Sequence, residues 1–117
     1  MAKDHITIDY DEENDILFIH SGFSKEEKFG GNLEIGNIVL DKATNGSIRG
    51  IEIFNASEFL SDFGVTDKFL SHLKNAKLNV TEGHHGFLVN LILRDEEKSI
   101  PVKIMLQQPK IISPLQS

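Results

Sequence analysis

The feature that most narrows the folds open to this chain is a change of hydrophobic period that happens twice. Up to residue 54 apolar side chains recur mainly at every second position, over residues 55–76 at helical spacing, and from residue 77 to 107 the alternation returns. Strand patterns grouped apart from helical ones exclude a βαβ parallel sheet. They point to an α+β fold, an antiparallel β-sheet of about six or seven strands with two short helices inserted mid-chain. At 117 residues the chain is expected to form one domain over 1–117, with a β-rich half at 8–58 and a helix plus three-strand extension at 59–117. A chain of this size buries roughly 65% of the surface its unfolded form exposes, so one real core is feasible.

The individual elements follow from local pattern. In "HITIDY", Ile6, Ile8 and Tyr10 alternate with polar residues, as a half-buried strand does. "ILFIH" is apolar at every position but its last and reads as a central strand covered on both sides. Residues 21–33, polar and Gly-rich, read as a long mobile loop. "EIGNIVLD" is expected as a third strand and "SIRGIEIF" as a fourth, joined through Asn45-Gly46, a pair that tolerates positive φ in a hairpin turn. Asn55 followed by Glu58 fits a reciprocal helix cap, and the helical turn "SEFLSDF" stops at Gly64. Thr66 caps a second helix, "DKFLSHLKNA", whose Phe69, Leu70 and Leu73 share a face. The strands "KLNV", "GFLVNLILR" and "SIPVKIMLQ" complete the order, with "RDEEK" as the last turn. Pro101 cannot donate to a ladder and predicts an edge position. The tail "PKIISPLQS" reads as irregular or docked on a neighbour.

Residues 9–15 hold five carboxylates in seven positions, and Asp9, Asp11, Glu13 and Asp15 alternate as calcium ligands do. A helix–loop–helix calcium loop needs Gly at its sixth position and Glu at its twelfth. Counted from Asp9 those positions are Asn14 and His20, and strand patterns flank the segment. The stretch therefore reads as a hairpin tip whose short polar side chains bond their own backbone.

"EGHHG" is the other candidate for chemistry. In a turn, Glu82, His84 and His85 supply three metal ligands, completed by His5, His20 or His72 from elsewhere; the bland reading is a hairpin connection. No catalytic residue is assigned and no cofactor is expected. Cys is absent, which removes thiolate sites and disulfides. There is no Gly-x-Ser-x-Gly elbow, and Gly30-Gly31 do not precede the helix that a phosphate loop requires.

Charge is unevenly spread. Residues 1–60 hold five Lys/Arg against twelve Asp/Glu, and residues 61–117 hold seven against six. An acidic half repels phosphate backbones, so nucleic acid is not an expected partner. No apolar run approaches a membrane span, and "MAKDHITIDY" offers no apolar leader, so a cytoplasmic location is expected.

The stretches "YDEENDILFI" and "GNIVLDKATNGSIRGIEIFNAS" resemble a prokaryotic domain-of-unknown-function family, number 2283, over about residues 8–58. The motif positions are Tyr10, Asp11, Asp15, Gly50, Ile51, Glu52, Ile53, Ala56 and Ser57. The resemblance implies a small β-rich module without an established reaction, and an antitoxin-like, partner-binding role for members encoded beside toxin-like proteins. From the residues themselves, Gly50 predicts a bulge or a close approach. Ala56 and Ser57 are expected to start a helix folded back on the sheet. Glu52 is placed on the face of Ile48 and Phe54, in need of a hydrogen-bond partner. The functional expectation is a non-catalytic protein-interaction module, binding a protein partner or self-associating through a sheet edge or the C-terminal strand. The alternatives are a small metal-binding protein or metal-dependent enzyme using Glu82, His84 and His85, and small-ligand binding beneath the 21–33 loop.

Overall fold

The computed structural model describes residues 6–107. Eight antiparallel strands form two sheets with short helices between them in sequence. β1 (Thr7–Asp11), β2 (Ile16–His20), β3 (Phe29–Ile35), β4 (Ile38–Ala43) and β5 (Ile48–Phe54) make a five-stranded sheet in the order β1-β2-β5-β4-β3. After α1 (Ala56–Phe59), a 3₁₀ turn (Ser61–Phe63) and α2 (Asp67–Ser71) come β6 (Asn75–Glu82), β7 (Gly86–Arg94) and β8 (Ser99–Gln107), a three-stranded sheet in sequence order. The α+β reading and the antiparallel pairing hold. The strands number eight in two sheets, where six or seven in one were expected.

The extra strand arises from a stretch with no alternation to read. "EIGNIVLD" is cut at Gly36, whose φ of 60° turns the chain back. Its first half joins the Gly-rich Phe29–Leu33 to form β3, paired with β4. At Gly30 a side chain would stand 2.7 Å from the Ala43 carbonyl, so the composition that suggests a loop is what lets the strand bulge there.

One apolar cluster holds the layers together. Leu17 and Ile19 of β2, Ile51 and Ile53 of β5, and Ile38 and Leu40 of β4 are fully buried. They share that cluster with Val89, Leu91 and Leu93 of β7, Val102 and Ile104 of β8, and Ala56, Leu60, Phe69 and Leu70 of the helical stretch. Truncating one such side chain costs about 2–5 kcal/mol.

The helices are shorter than their sequence pattern. Thr66 caps α2 as expected, its Oγ1 accepting from the Phe69 amide at 3.0 Å. The helix then ends at Ser71, because Lys74 donates to the Arg94 carbonyl and Asn75–Ala76 pair with Arg94–Leu93. The ladder to β7 overrides helix propensity at "KNA". Asn55 is not a side-chain cap: it sits at φ 53° and makes no capping bond. Pro101 lies on β8, an edge strand, opposite Ile92. The expectation for "PKIISPLQS" lies outside the described residues. No helix among the described residues is long and apolar enough to cross a membrane.

"ILFIH" departs from the expectation of a strand covered on both sides. Leu17 and Ile19 point into the core, whereas Ile16 and Phe18 lie on the opposite face, half-exposed and outside the core cluster. The strand is apolar on both sides but packed on one.

Candidate functional site

The β1–β2 turn is self-bonded at its tip. Asp11 accepts from the Asn14 amide at 3.1 Å and the Asn14 side chain at 2.9 Å, and these bonds hold its carboxyl below the usual range. Asp15 behaves differently. Its backbone occupies the left-handed region at φ 55°, and its carboxylate reaches out of the turn. It accepts from the Tyr10 hydroxyl at 2.5 Å, from the Ser57 amide at 3.0 Å and from the Ser57 hydroxyl at 2.8 Å. The Asp15 carbonyl also accepts from the Ala56 amide at 2.9 Å. The cap of α1 is therefore supplied by a residue 42 positions earlier, not by Asn55.

This cluster locks the β1–β2 turn to the start of α1. Burial and then the Asp15 carboxylate push the Tyr10 phenol well above its ordinary 10.0. Burial alone would raise Asp15, but bonds from Tyr10 and Ser57 outweigh it and leave the carboxyl below 3.8. Both groups move away from neutrality, the opposite of what acid–base catalysis needs. The Ser57 hydroxyl donates to the Asp15 carboxylate, whose lowered pKa makes it a weak base.

Gly50 satisfies both of its expected roles. The ladder shifts between Asp41/Gly50 and Lys42/Ile48, leaving Arg49 as an extra residue on β5. A Cβ on Gly50 would collide with the His20 ring and come within 2.9 Å of Asp41 Oδ2. His20 lies across that notch, Nδ1 accepting from the Gly22 amide at 2.8 Å and Nε2 3.9 Å from Asp41. With the Nδ1 lone pair already used, the imidazole is poorly placed to act as a base.

The bulge also redistributes the faces of β5. Ile48 packs against the core with Ile51 and Ile53, so it does not share a face with Glu52. Arg49, set free of the ladder, meets Glu27: Nη2 donates at 3.0 Å and Nε stands 2.9 Å from Oε1, too bent for a hydrogen bond. Glu27 also accepts from the Ser24 amide and the Asn45 side chain, both at 2.8 Å. Arg49 foremost, then Ser24, drop its carboxyl from 4.5 to about 2. Glu27 is the buried acid that the sequence reading missed, placing it in a mobile loop. It ties that segment to the β4–β5 turn. An Arg interrupting an apolar strand beside a bulge-prone Gly was the available signal for a buried carboxylate.

Register defines what remains exposed. Opposed residues share a face, so Asp9, Phe18, Glu52, Val39 and Glu34 form one row across the outer face of the five-stranded sheet. Adjacent rows carry Asp11, Ile16 and Phe54 on one side, and His20, Gly50 and Asp41 on the other. Five carboxylates thus surround a half-exposed apolar stripe. Glu52, expected to be satisfied internally, makes no hydrogen bond or ion pair among the described residues and stands between Phe18 and Val39.

The metal candidates lie at the end of β6 and in the connection to β7. Glu82 ends β6, and Gly83 to His85 turn the chain, the Gly83 amide donating to Gly86 O at 2.8 Å. The rings of His84 and His85 are 6.4 Å apart and tilted. No three His, Cys, Asp or Glu side chains converge on one point among the described residues. The segment is a hairpin connection.

Residues 7–57 match the family described as a protein of unknown function, DUF2283. The match begins with β1 and ends at Ser57, so it holds the five-stranded sheet together with both halves of the Asp15 lock. An uncharacterised protein of Methanocaldococcus jannaschii is 39% identical over 56 residues, which cover 48% of this chain and 46% of that one. The chain thus spans less than half the length of that curated relative. No solved structure matches.

Proposed function

We propose that this protein is a non-catalytic protein-binding module whose contact surface is the outer face of the five-stranded sheet. The observation that carries the reading is Glu52, a carboxylate set between Phe18 and Val39 without a partner among the described residues. A carboxylate on apolar ground is costly once that ground is covered, unless the covering group brings a cation. The partner therefore presents Lys or Arg beside apolar side chains, complementary to the stripe and to the carboxylates around it. The lock and the Glu27–Arg49 pair hold this face rigid, which lowers the entropy cost of binding. An antitoxin-like grip on a basic, toxin-like protein is the sharper form and rests on the family resemblance alone.

The test is affinity capture from a cell extract with wild-type protein and with Phe18→Ser and Glu52→Lys, two changes at half-exposed positions outside the core cluster. The reading expects a basic protein that the wild type retains and both variants lose. Capture indifferent to both substitutions, or a chain that retains nothing, overturns it. The alternative on Glu82, His84 and His85 expects a thermal shift with zinc, nickel or manganese that disappears in His84→Ala/His85→Ala.

A further inference from the structure

The outer face of the three-stranded sheet has the opposite character. Register places Lys77, Ile92 and Pro101 in one row, Asn79, Asn90 and Lys103 in the next, and Thr81, Leu88 and Met105 beyond. Arg94 flanks the first row, opposite Asn75 and Ser99. No Asp or Glu stands in these rows among the described residues. Its apolar residues are open to solvent: Ile92 is 39% and Met105 73% exposed. One molecule thus carries an acidic sheet face with an apolar stripe and a basic sheet face with an apolar stripe.

We infer that the acidic face of one copy docks on the basic face of a second, a head-to-tail association of identical chains. This rests on the proposed function above and names its partner as the chain itself. Three features favour a second copy. The charges are complementary, five carboxylates against Lys77, Lys103 and Arg94. The areas match: five strands of five to seven residues and three strands of eight or nine each present about 400–500 Å² at ordinary strand spacing. Apolar residues open to solvent lie on both faces, half-exposed on the first and exposed on the second, so sheet-on-sheet packing removes Phe18 and Phe54 from water together with Ile92 and Met105. The summed area of roughly 900 Å² falls below a standard stable interface, so the contact is weak and salt-sensitive. A heterologous contact does not close on itself unless its rotation forms a ring, so assembly grows with concentration instead of stopping at a dimer.

Sedimentation of the full chain over a concentration series at low and high salt tests this. The expected result is a weight-average mass that rises above 13.1 kDa with concentration at low salt, with the association constant falling by an order of magnitude or more at high salt. Lys77→Glu/Lys103→Glu leaves both faces acidic, and Asp9→Lys/Glu34→Lys/Glu52→Lys leaves both basic, two carboxylates against three lysines remaining on the first sheet. Each variant alone is expected to stay monomeric, while an equimolar mixture associates because each now supplies what the other lacks. Circular dichroism confirms that both are folded; should either fail, the single changes Lys103→Glu and Glu52→Lys take their place. A wild type that is monomeric throughout overturns the inference, as does association that survives both variants or a mixture that fails to associate. If the wild type is monomeric yet captured protein is still lost on Glu52→Lys, the second copy is excluded and the binding-module reading stands.

Discussion

Asp15→Asn is the most informative single change, because it alters one charge and little else. Asn tolerates the left-handed backbone at this position almost as well as Asp, so strain is not introduced. The carboxylate accepts from three donors, the Tyr10 hydroxyl and the Ser57 amide and hydroxyl. Hydrogen bonds to a charged acceptor contribute about 1.5–3 kcal/mol each, and neutral ones about 0.5–1.5. The loss is therefore near 1 kcal/mol per bond, but three bonds on one group are not additive. A total of about 2 kcal/mol is the result to expect, read as a urea midpoint lowered by roughly 1 M at unchanged slope. The chain supplies its own local probe, because Tyr10 is the only Tyr and there is no Trp. Phenolate absorbance then reports Tyr10 alone. In the wild type it ionises well above 10.0, and in Asp15→Asn its midpoint falls as the adjacent negative charge disappears but stays above 10.0, because burial, the larger cause, remains. The sign of the linkage follows: a phenol raised in the fold contributes stability that is complete below pH 10.0 and is lost as pH climbs through the native value. A midpoint that does not move, with stability within about 0.5 kcal/mol of wild type, would refute the lock.

Four further outcomes are expected. Gly50→Ala destabilises by about 1–3 kcal/mol because its Cβ meets the His20 ring and Asp41; exchange at the Gly22 amide, read by NMR, rises as His20 is displaced. Glu27→Gln weakens the fold at neutral pH and flattens its acid dependence. The Glu27 carboxyl is depressed from 4.5 to about 2, so its contribution is present above pH 4.5 and lost as pH falls toward 2; parallel wild-type and variant denaturation curves across that window would contradict the pairing. Thr66→Ala costs about 1 kcal/mol through loss of the Phe69 amide's acceptor, seen in chemical denaturation. Glu52→Leu leaves stability within about 0.5 kcal/mol or raises it, since no internal partner is lost; a loss above 2 kcal/mol would show that Glu52 has a structural role after all.

What was legible in the sequence was local. Alternation placed β1 and β8, apolar runs placed β2 and β7, Thr66 announced its cap, and Pro101 marked an edge. The errors fall where one residue's state is set by a distant one. Glu27 lies among polar neighbours with nothing local to mark it as buried; Arg49, 22 positions later, decides that. Asn55 has the right neighbours for a cap and loses the task to Asp15, 42 residues before Ser57. "KNA" extends a helical pattern, yet Arg94 draws it into β6. Phe18 is the instructive case: an apolar residue in an apolar strand predicts a covering layer, and pattern alone cannot distinguish a layer within the chain from one supplied by another molecule.

The boundary of the family match gives that distinction a structural meaning. It stops at Ser57, the residue whose amide closes the lock. The matched segment is thus a self-consistent sheet with a fixed corner, but its inner face carries Leu17, Ile19, Ile38, Leu40, Ile51 and Ile53, all buried here. Six such side chains at about 1.5–3 kcal/mol of burial each are too many to leave in water. In this protein the helical stretch and the three-stranded sheet cover them. A relative that shares only the matched segment must cover the same face with a different second half or with another chain. The motif therefore specifies a sheet and its corner and leaves the covering layer to vary. The outer face, with Glu52 from that motif in its central row, is the side of the matched sheet left open here among the described residues.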